Sequence, residues 1–119
     1  MPRFDVFHHP EDRHHYRAGE HIFQQGDDGE YLYDIVQGEV TLERDNRTLT
    51  TLTQGDIFGE VTLINNTRHS VSAIAKVDCE IAQISKKRFL FMVDQTPNFA
   101  IRVMQVLAER LAQETAKHD

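Results

Sequence analysis

Through the first two thirds of the chain, apolar positions recur at every second residue in short runs. Tyr31, Tyr33 and Ile35 alternate with their neighbours, as do Val40 and Leu42; this is the period of a strand with one face turned inward. β-Prone runs cover residues 21–24, 31–36, 39–43, 47–52, 71–76 and 80–84. Between them lie turn-forming groups: Ala18-Gly19, Asp27-Asp28-Gly29, Gln37-Gly38, Asp45-Asn46, Gln54-Gly55-Asp56 and Asn65-Asn66. Their spacing is roughly the 8–12 residues of a sandwich or barrel. Strands this short bury an inner face only in a doubled or closed sheet.

After Ile84 the period changes. Ser85 is placed to cap a short helix over residues 86–94. Its first turn, Lys86-Lys87-Arg88, opposes the helix dipole by about a few tenths of a kcal/mol, which packing of Phe89, Met92 and Val93 has to outweigh. Thr96 then caps a second helix, with Pro97 at the first position, where a missing N–H costs nothing. That helix is predicted to run to about residue 116, roughly 30 Å. It carries two apolar stripes, one of Ile101, Met104, Ala108 and Leu111, the other of Phe99, Val103, Val106 and Leu107. So wide an apolar surface does not stay in water. One stripe is expected to meet the β part and the other a second copy of the chain.

Composition narrows the class without changing this layout. A chain of 119 residues, 39% hydrophobic and 27% charged, suits one domain with its own core. The single cysteine, Cys79, excludes a disulfide framework and a four-cysteine cluster, and fits a reducing compartment. No apolar run approaches membrane-spanning length, so a soluble, cytoplasmic protein is expected. The net charge is −6 and no Lys/Arg stripe is present, which argues against direct nucleic-acid binding. An anionic ligand has to be held by local geometry against the overall field.

Several stretches carry a more specific signal: Tyr16-Arg17-Ala18-Gly19-Glu20-His21-Ile22-Phe23, Gln25-Gly26-Asp27, Leu32-Tyr33-Asp34-Ile35-Val36-Gln37-Gly38-Glu39-Val40, Gln54-Gly55-Asp56-Ile57-Phe58-Gly59-Glu60 and Asp78-Cys79-Glu80. Together they resemble the cyclic nucleotide-binding domain family, over about residues 13–115. The resemblance implies a mainly β fold with C-terminal α structure: an eight-stranded jelly-roll β-barrel followed by two helices, the last a dimerisation helix. Residues 1–12 form an N-terminal segment and residues 13–119 the cyclic nucleotide-binding domain. The implied function is a regulatory sensor in signal transduction, binding cAMP before cGMP, with the ligand shifting the C-terminal helices. The chain ends before any helix-turn-helix, kinase or channel segment, so a separate effector protein or an output domain outside this sequence is expected.

In this family the ligand site begins at the segment matching Phe58-Gly59-Glu60, the phosphate-binding cassette. The residue chemistry agrees. Gly59 lets backbone approach a ligand, and Glu60 can accept hydrogen bonds from a ribose hydroxyl. One helical turn over residues 61–64, opening at Val61, can aim free N–H groups at an anion, with Ser70 adding a hydroxyl donor. Relatives close the cassette with Pro-Arg-Ser-Ala. Counted back from Cys79 without gaps, this chain reads Arg68-His69-Ser70-Val71. Two accounts of the missing arginine stand. In one, His69 faces the phosphate and takes a proton beside it, so that binding tightens as pH falls. In the other, the loop shifts by one residue and Arg68 swings in, which losing the proline makes easier. The ungapped alignment favours His69. Glu114 and Thr115 fall where relatives often touch the base, which in a dimer is that of the partner copy; the alternative is a solvated helix end.

The rival reading is a degenerate barrel that binds no nucleotide, keeps Glu60 as a buried core carboxylate, and serves for dimerisation or protein docking. Haem held by His69 or Cys79 is a further alternative, beside which Cys79 reads as a small buried hydrophobe. His8-His9-Pro10-Glu11-Asp12-Arg13-His14-His15 gathers four of the seven histidines. Neighbouring side chains of an extended segment point opposite ways, so no metal site is expected there. No Ser/His/Asp order, Walker loop or paired metal-ligand motif appears, and no enzyme is expected.

Overall fold

The computed structural model describes residues 12–118, with side chains through residue 113. The elements run β1 Arg13–Tyr16, β2 His21–Phe23, β3 Tyr31–Gln37, β4 Glu39–Arg44, β5 Arg47–Thr53, β6 Ile57–Phe58, α1 Glu60–Asn65, β7 Ser72–Ala75, β8 Cys79–Ser85, α2 Lys86–Gln95 and α3 Pro97–His118. The chain divides into two compact units, the first ending at Lys86 and the second beginning at Lys87.

In the first unit the strands form two antiparallel four-stranded sheets, ordered β1-β8-β3-β6 and β2-β7-β4-β5. The eight strands of the expected jelly roll are present, but the closed barrel is corrected to two sheets. The edge strands pair only within their own sheet, so contact between sheets rests on side chains. The main core cluster is Phe23, Val40, Ala73 and Ala75 from one sheet with Tyr33, Ile35, Phe58, Cys79 and Ile81 from the other.

Six of these strands fall in the β-prone runs read from the sequence; β1 and β6 do not. β1 reads Arg-His-His-Tyr and owes its conformation to its partner, pairing Arg13 with Ala82 through Tyr16 with Cys79. An ion pair from Arg13 Nη1 to Glu80 Oε1, at 3.3 Å, ties its start. β6 is two residues long and exists through Tyr33↔Phe58 and Asp34↔Ile57. β3 differs from the alternating expectation. As an inner strand between β8 and β6 it buries both faces, with Leu32 and Asp34 as deep as Tyr33 and Ile35. The β4–β5 turn behaves as read: Asp45 and Asn46 both sit at positive φ, 52° and 66°, matching the twist that two-residue hairpins require.

Cys79 is buried, and its thiol donates to the carbonyls of Glu39 and Val77, both at 3.1 Å. Burial raises its pKa above the ordinary thiol value, which suppresses the thiolate that reacts. The native chain is therefore expected to resist iodoacetamide near neutral pH and to label readily once unfolded. Mass spectrometry would follow both, and fast native labelling would contradict the packing.

In the second unit, Ser85 ends β8 and α2 starts at the next residue. The turn between the helices is closed by Thr96 N–H on the Met92 carbonyl, 2.8 Å, and Phe99 N–H on the Thr96 carbonyl, 2.9 Å. Phe89 and Phe99 meet edge to face, centroids 5.4 Å apart. The two stripes of α3 differ in burial. Phe99, Val103 and Val106 are buried, whereas Ile101, Met104 and Leu111 are 52%, 62% and 68% exposed in the single chain.

Candidate functional site

The cassette starts where β6 gives way to α1. Phe58, the last residue of β6, is buried with its ring stacked on Tyr33, centroids 5.0 Å apart. Gly59 follows at φ +82°, as the N-cap of α1. A Cβ there would lie 2.8 Å from Tyr33 Cδ2 and 3.0 Å from the Tyr31 carbonyl oxygen. Glycine is thus required twice, for the left-handed backbone and for the close approach. Glu60 is the first residue of α1 and only 4% exposed; a carboxylate is favoured at a helix start. Thr62 and Leu63 face inward, while Val61 and Ile64 are exposed. Thr62 Oγ1 donates to the Gly59 carbonyl at 3.0 Å, and Asn66, at φ 59°, ends the helix.

The loop between β2 and β3 is fastened to this segment. Gly26 N–H donates to the His69 carbonyl and His69 N–H to the Asp27 carbonyl, each at 2.8 Å. Arg68 forms an isolated antiparallel bridge with Asp28. Its Nη1 donates to the Gly26 carbonyl at 3.1 Å, and its Nε lies 3.8 Å from Asp28 Oδ1. That ion pair is largely exposed and contributes little stability. Gly29 lies so close to α1 that a Cβ on it would stand 2.2 Å from both Cβ and Oγ1 of Thr62.

His69 is 4% exposed and its ring stacks on Phe23, centroids 3.5 Å apart and 10° from parallel. Burial lowers its pKa below the ordinary histidine value, and the nearby Asp27 carboxylate partly opposes this. The side chain that the alignment put at the phosphate is a neutral member of the Phe23–Tyr33–Phe58 aromatic group. A pH effect follows. Since the unfolded chain takes up the proton first, the stabilising contribution is complete above about pH 6.5 and is lost as pH falls below that value. Between about pH 7 and 5, thermal stability should fall more steeply in the native chain than in His69→Phe, whose ring keeps the stack. Equal slopes would show that His69 is not the group responsible.

Ser70 is exposed and touched by Arg44 from the end of β4: Nε donates to the Ser70 carbonyl at 3.2 Å and Nη2 to Oγ at 3.4 Å. Val71 packs partly buried against the core cluster. The side chains of Glu114 and Thr115 lie outside the described residues, as do residues 8–11 of the histidine-rich stretch. Sequence reasoning named Phe58, Gly59, Glu60, Val61 and the run Arg68-His69-Ser70-Val71, which the structure spreads over β6, α1 and the loop before β7. It missed Arg44, Gly29 and Phe23; the turn signals near the first two marked loops but not what those loops touch. Among the described residues no group of three or more His, Cys, Asp or Glu is arranged to hold a metal. His69 and Cys79 are committed to internal packing, at odds with axial ligation of a haem. No helix among those residues is long and apolar enough to cross a membrane.

Two facing antiparallel sheets, with a buried acid behind a left-handed glycine and a short helix in the β6–β7 connection, describe a β-roll ligand-sensor domain. The model of the cyclic nucleotide-binding domain matches residues 13–96, and the chain belongs to that family. It is 34% identical over 109 residues to the cyclic AMP receptor protein of Thermus thermophilus, covering 87% of this chain and 50% of that protein. Over 71 residues it is 35% identical to the cAMP-dependent protein kinase regulatory subunit of Eremothecium gossypii, covering 60% of this chain and 16% of that protein. The crystal structure of the Thermus thermophilus catabolite activator protein superposes with a TM-score of 0.82 at 32% identity, over 94% of this chain and 60% of that one. The chain therefore spans about half the length of the receptor protein it matches.

Proposed function

We propose that this chain is a cytoplasmic regulatory module, residues 13–119 with residues 1–12 as a lead-in, that binds a cyclic purine mononucleotide, cAMP before cGMP. The observation that carries the reading is Glu60, a buried carboxylate at the start of α1 behind a glycine that admits no side chain. Glu60 accepts from the ribose hydroxyl and Ser70 donates to the cyclic phosphate, with Phe58, Val61 and Val71 as apolar surroundings. The preference for cAMP is supported by the two relatives named above, both named for cyclic AMP. The module acts by binding rather than by catalysis, and binding biases the C-terminal helices between two arrangements that a separate effector reads. With cAMP at about a hundredfold over Kd, unfolding should cost roughly 2.7 kcal/mol more. A denaturation series with cAMP and cGMP tests this; no stabilisation by either would favour the degenerate, docking-only reading.

The same proposal includes a homodimer through α3, with Thr115 reaching the partner's nucleotide. The exposed Ile101, Met104 and Leu111 support it, because three large side chains on one helix face are a poor water surface. Sedimentation should show a dimer, and Met104→Glu should shift it to monomer by placing a charge in the buried seam. A wild-type monomer at high concentration would reject this part alone.

A further inference from the structure

Family resemblance supplies one phosphate-gripping arginine, and its position here is occupied by His69. Three basic side chains lie near the end of the cassette, and the structure distinguishes them. His69 is packed face to face on Phe23 and buried. Arg68 is turned onto the β2–β3 loop, with its guanidinium on the Gly26 carbonyl and beside Asp28. Arg44 alone touches Ser70, the residue read as the phosphate's hydroxyl donor, and it does so through both the backbone carbonyl and Oγ. Among the described residues no carboxylate pairs with Arg44.

Two further features point the same way. Arg47 stands directly opposite Arg44 across the β4–β5 turn. Like charges facing each other on a β-ladder are unfavourable, and an anion held at this end of the hairpin relieves the repulsion. The one acid of that turn, Asp45, is drawn aside: Gln25 Nε2 donates to its Oδ1 at 3.3 Å, and Asp45 N–H donates to Gln25 Oε1 at 3.3 Å. Gln25 N–H in turn donates to Ser72 Oγ at 2.9 Å. The strand end that carries Arg44 is thereby fixed to both the β2–β3 loop and the start of β7.

We infer that Arg44, delivered from β4 rather than from the cassette, is the cation that reads the anionic group of the ligand together with Ser70. This rests on the nucleotide-binding reading above and supplies its missing charge. A guanidinium fork on a phosphate is a strong, oriented contact, and Arg44 reaches it by exchanging its present bonds to Ser70 for bonds to the ligand. Arg47 adds charge at the same end of the hairpin without a direct contact.

The test is calorimetric titration of cAMP into the full chain, wild type beside Arg44→Gln, Arg44→Lys, Arg68→Gln and His69→Gln. Arg44→Gln should weaken binding by roughly tenfold to a hundredfold. Its unfolding midpoint should stay unchanged, because the side chain is exposed. Arg44→Lys should fall between, keeping the charge and losing the fork. Affinity of the wild type should be flat from about pH 8 to 6, because the contact is made by a guanidinium and not by the His69 imidazole. Wild-type affinity in Arg44→Gln, with the loss appearing instead in Arg68→Gln or His69→Gln, would overturn the inference and leave the nucleotide-binding reading standing. A wild-type chain that binds neither cAMP nor cGMP would overturn both.

Discussion

Glu60→Gln is expected to weaken cAMP binding by about tenfold to a hundredfold while leaving the fold intact. The carboxylate is buried at the first position of α1, where it accepts a ribose hydroxyl in the proposed complex. The amide has the same shape and one remaining acceptor, so the change removes charge rather than volume. A hydrogen bond to a charged group is worth about 1.5–3 kcal/mol, and each 1.4 kcal/mol is roughly a tenfold change in affinity. The decisive measurement is a cycle with 2′-deoxy-cAMP, which lacks the hydroxyl. Wild type should discriminate strongly between the two nucleotides, and Glu60→Gln should not. Equal losses for both would mean that Glu60 shapes the cassette without touching the sugar.

Gly29→Ala is expected to be the most damaging single methyl group in the β2–β3 loop. The added Cβ would stand 2.2 Å from Thr62 Cβ and Oγ1 and 3.0 Å from the Thr67 carbonyl, so backbone has to move. Overpacking of this kind costs about 1–3 kcal/mol. The backbone of Gly29 is outside the left-handed region, so the effect is steric and separable from dihedral strain. Thr62→Gly opens the space at a cost of about 0.3 kcal/mol in helix propensity and the loss of its bond to the Gly59 carbonyl. The double variant should be more stable than the sum of the single effects predicts, as residues in contact are not additive. Denaturant titration of the four proteins measures the coupling. Strict additivity would show that the loop does not press on α1. Since the same loop holds the His69 backbone, Gly29→Ala should also lower cAMP affinity.

Much of the fold can be read from local chemistry. A period of two gives way to a helical period after Ile84, Asp45-Asn46 carries a two-residue turn, and Pro97 begins a helix; each of these is decided within a few residues. β1 cannot be read this way, because Arg-His-His-Tyr has no inward face of its own and becomes a strand only along β8. The same holds for the closure of the barrel, since no short-range signal says whether the edges of two sheets bond. The cassette is partly legible. Gly59 and Glu60 are adjacent and carry their chemistry together, and Ser70 holds its place relative to Cys79.

The charge at the site is not legible at all. Counting along the chain puts His69 at the phosphate, but folding turns its imidazole onto Phe23, because an aromatic face in a forming core holds a ring more favourably than water does. Arg44 arrives beside Ser70 from 26 residues away. That meeting depends on the register of β4 with β7 and on the tight turn that ends β4. Local pattern therefore settles which segments become strands and helices and where an acid and a glycine stand together, since those outcomes depend on neighbours in the chain. Which cation stands beside Ser70 is settled by strand pairing and core packing, which act between residues distant in sequence.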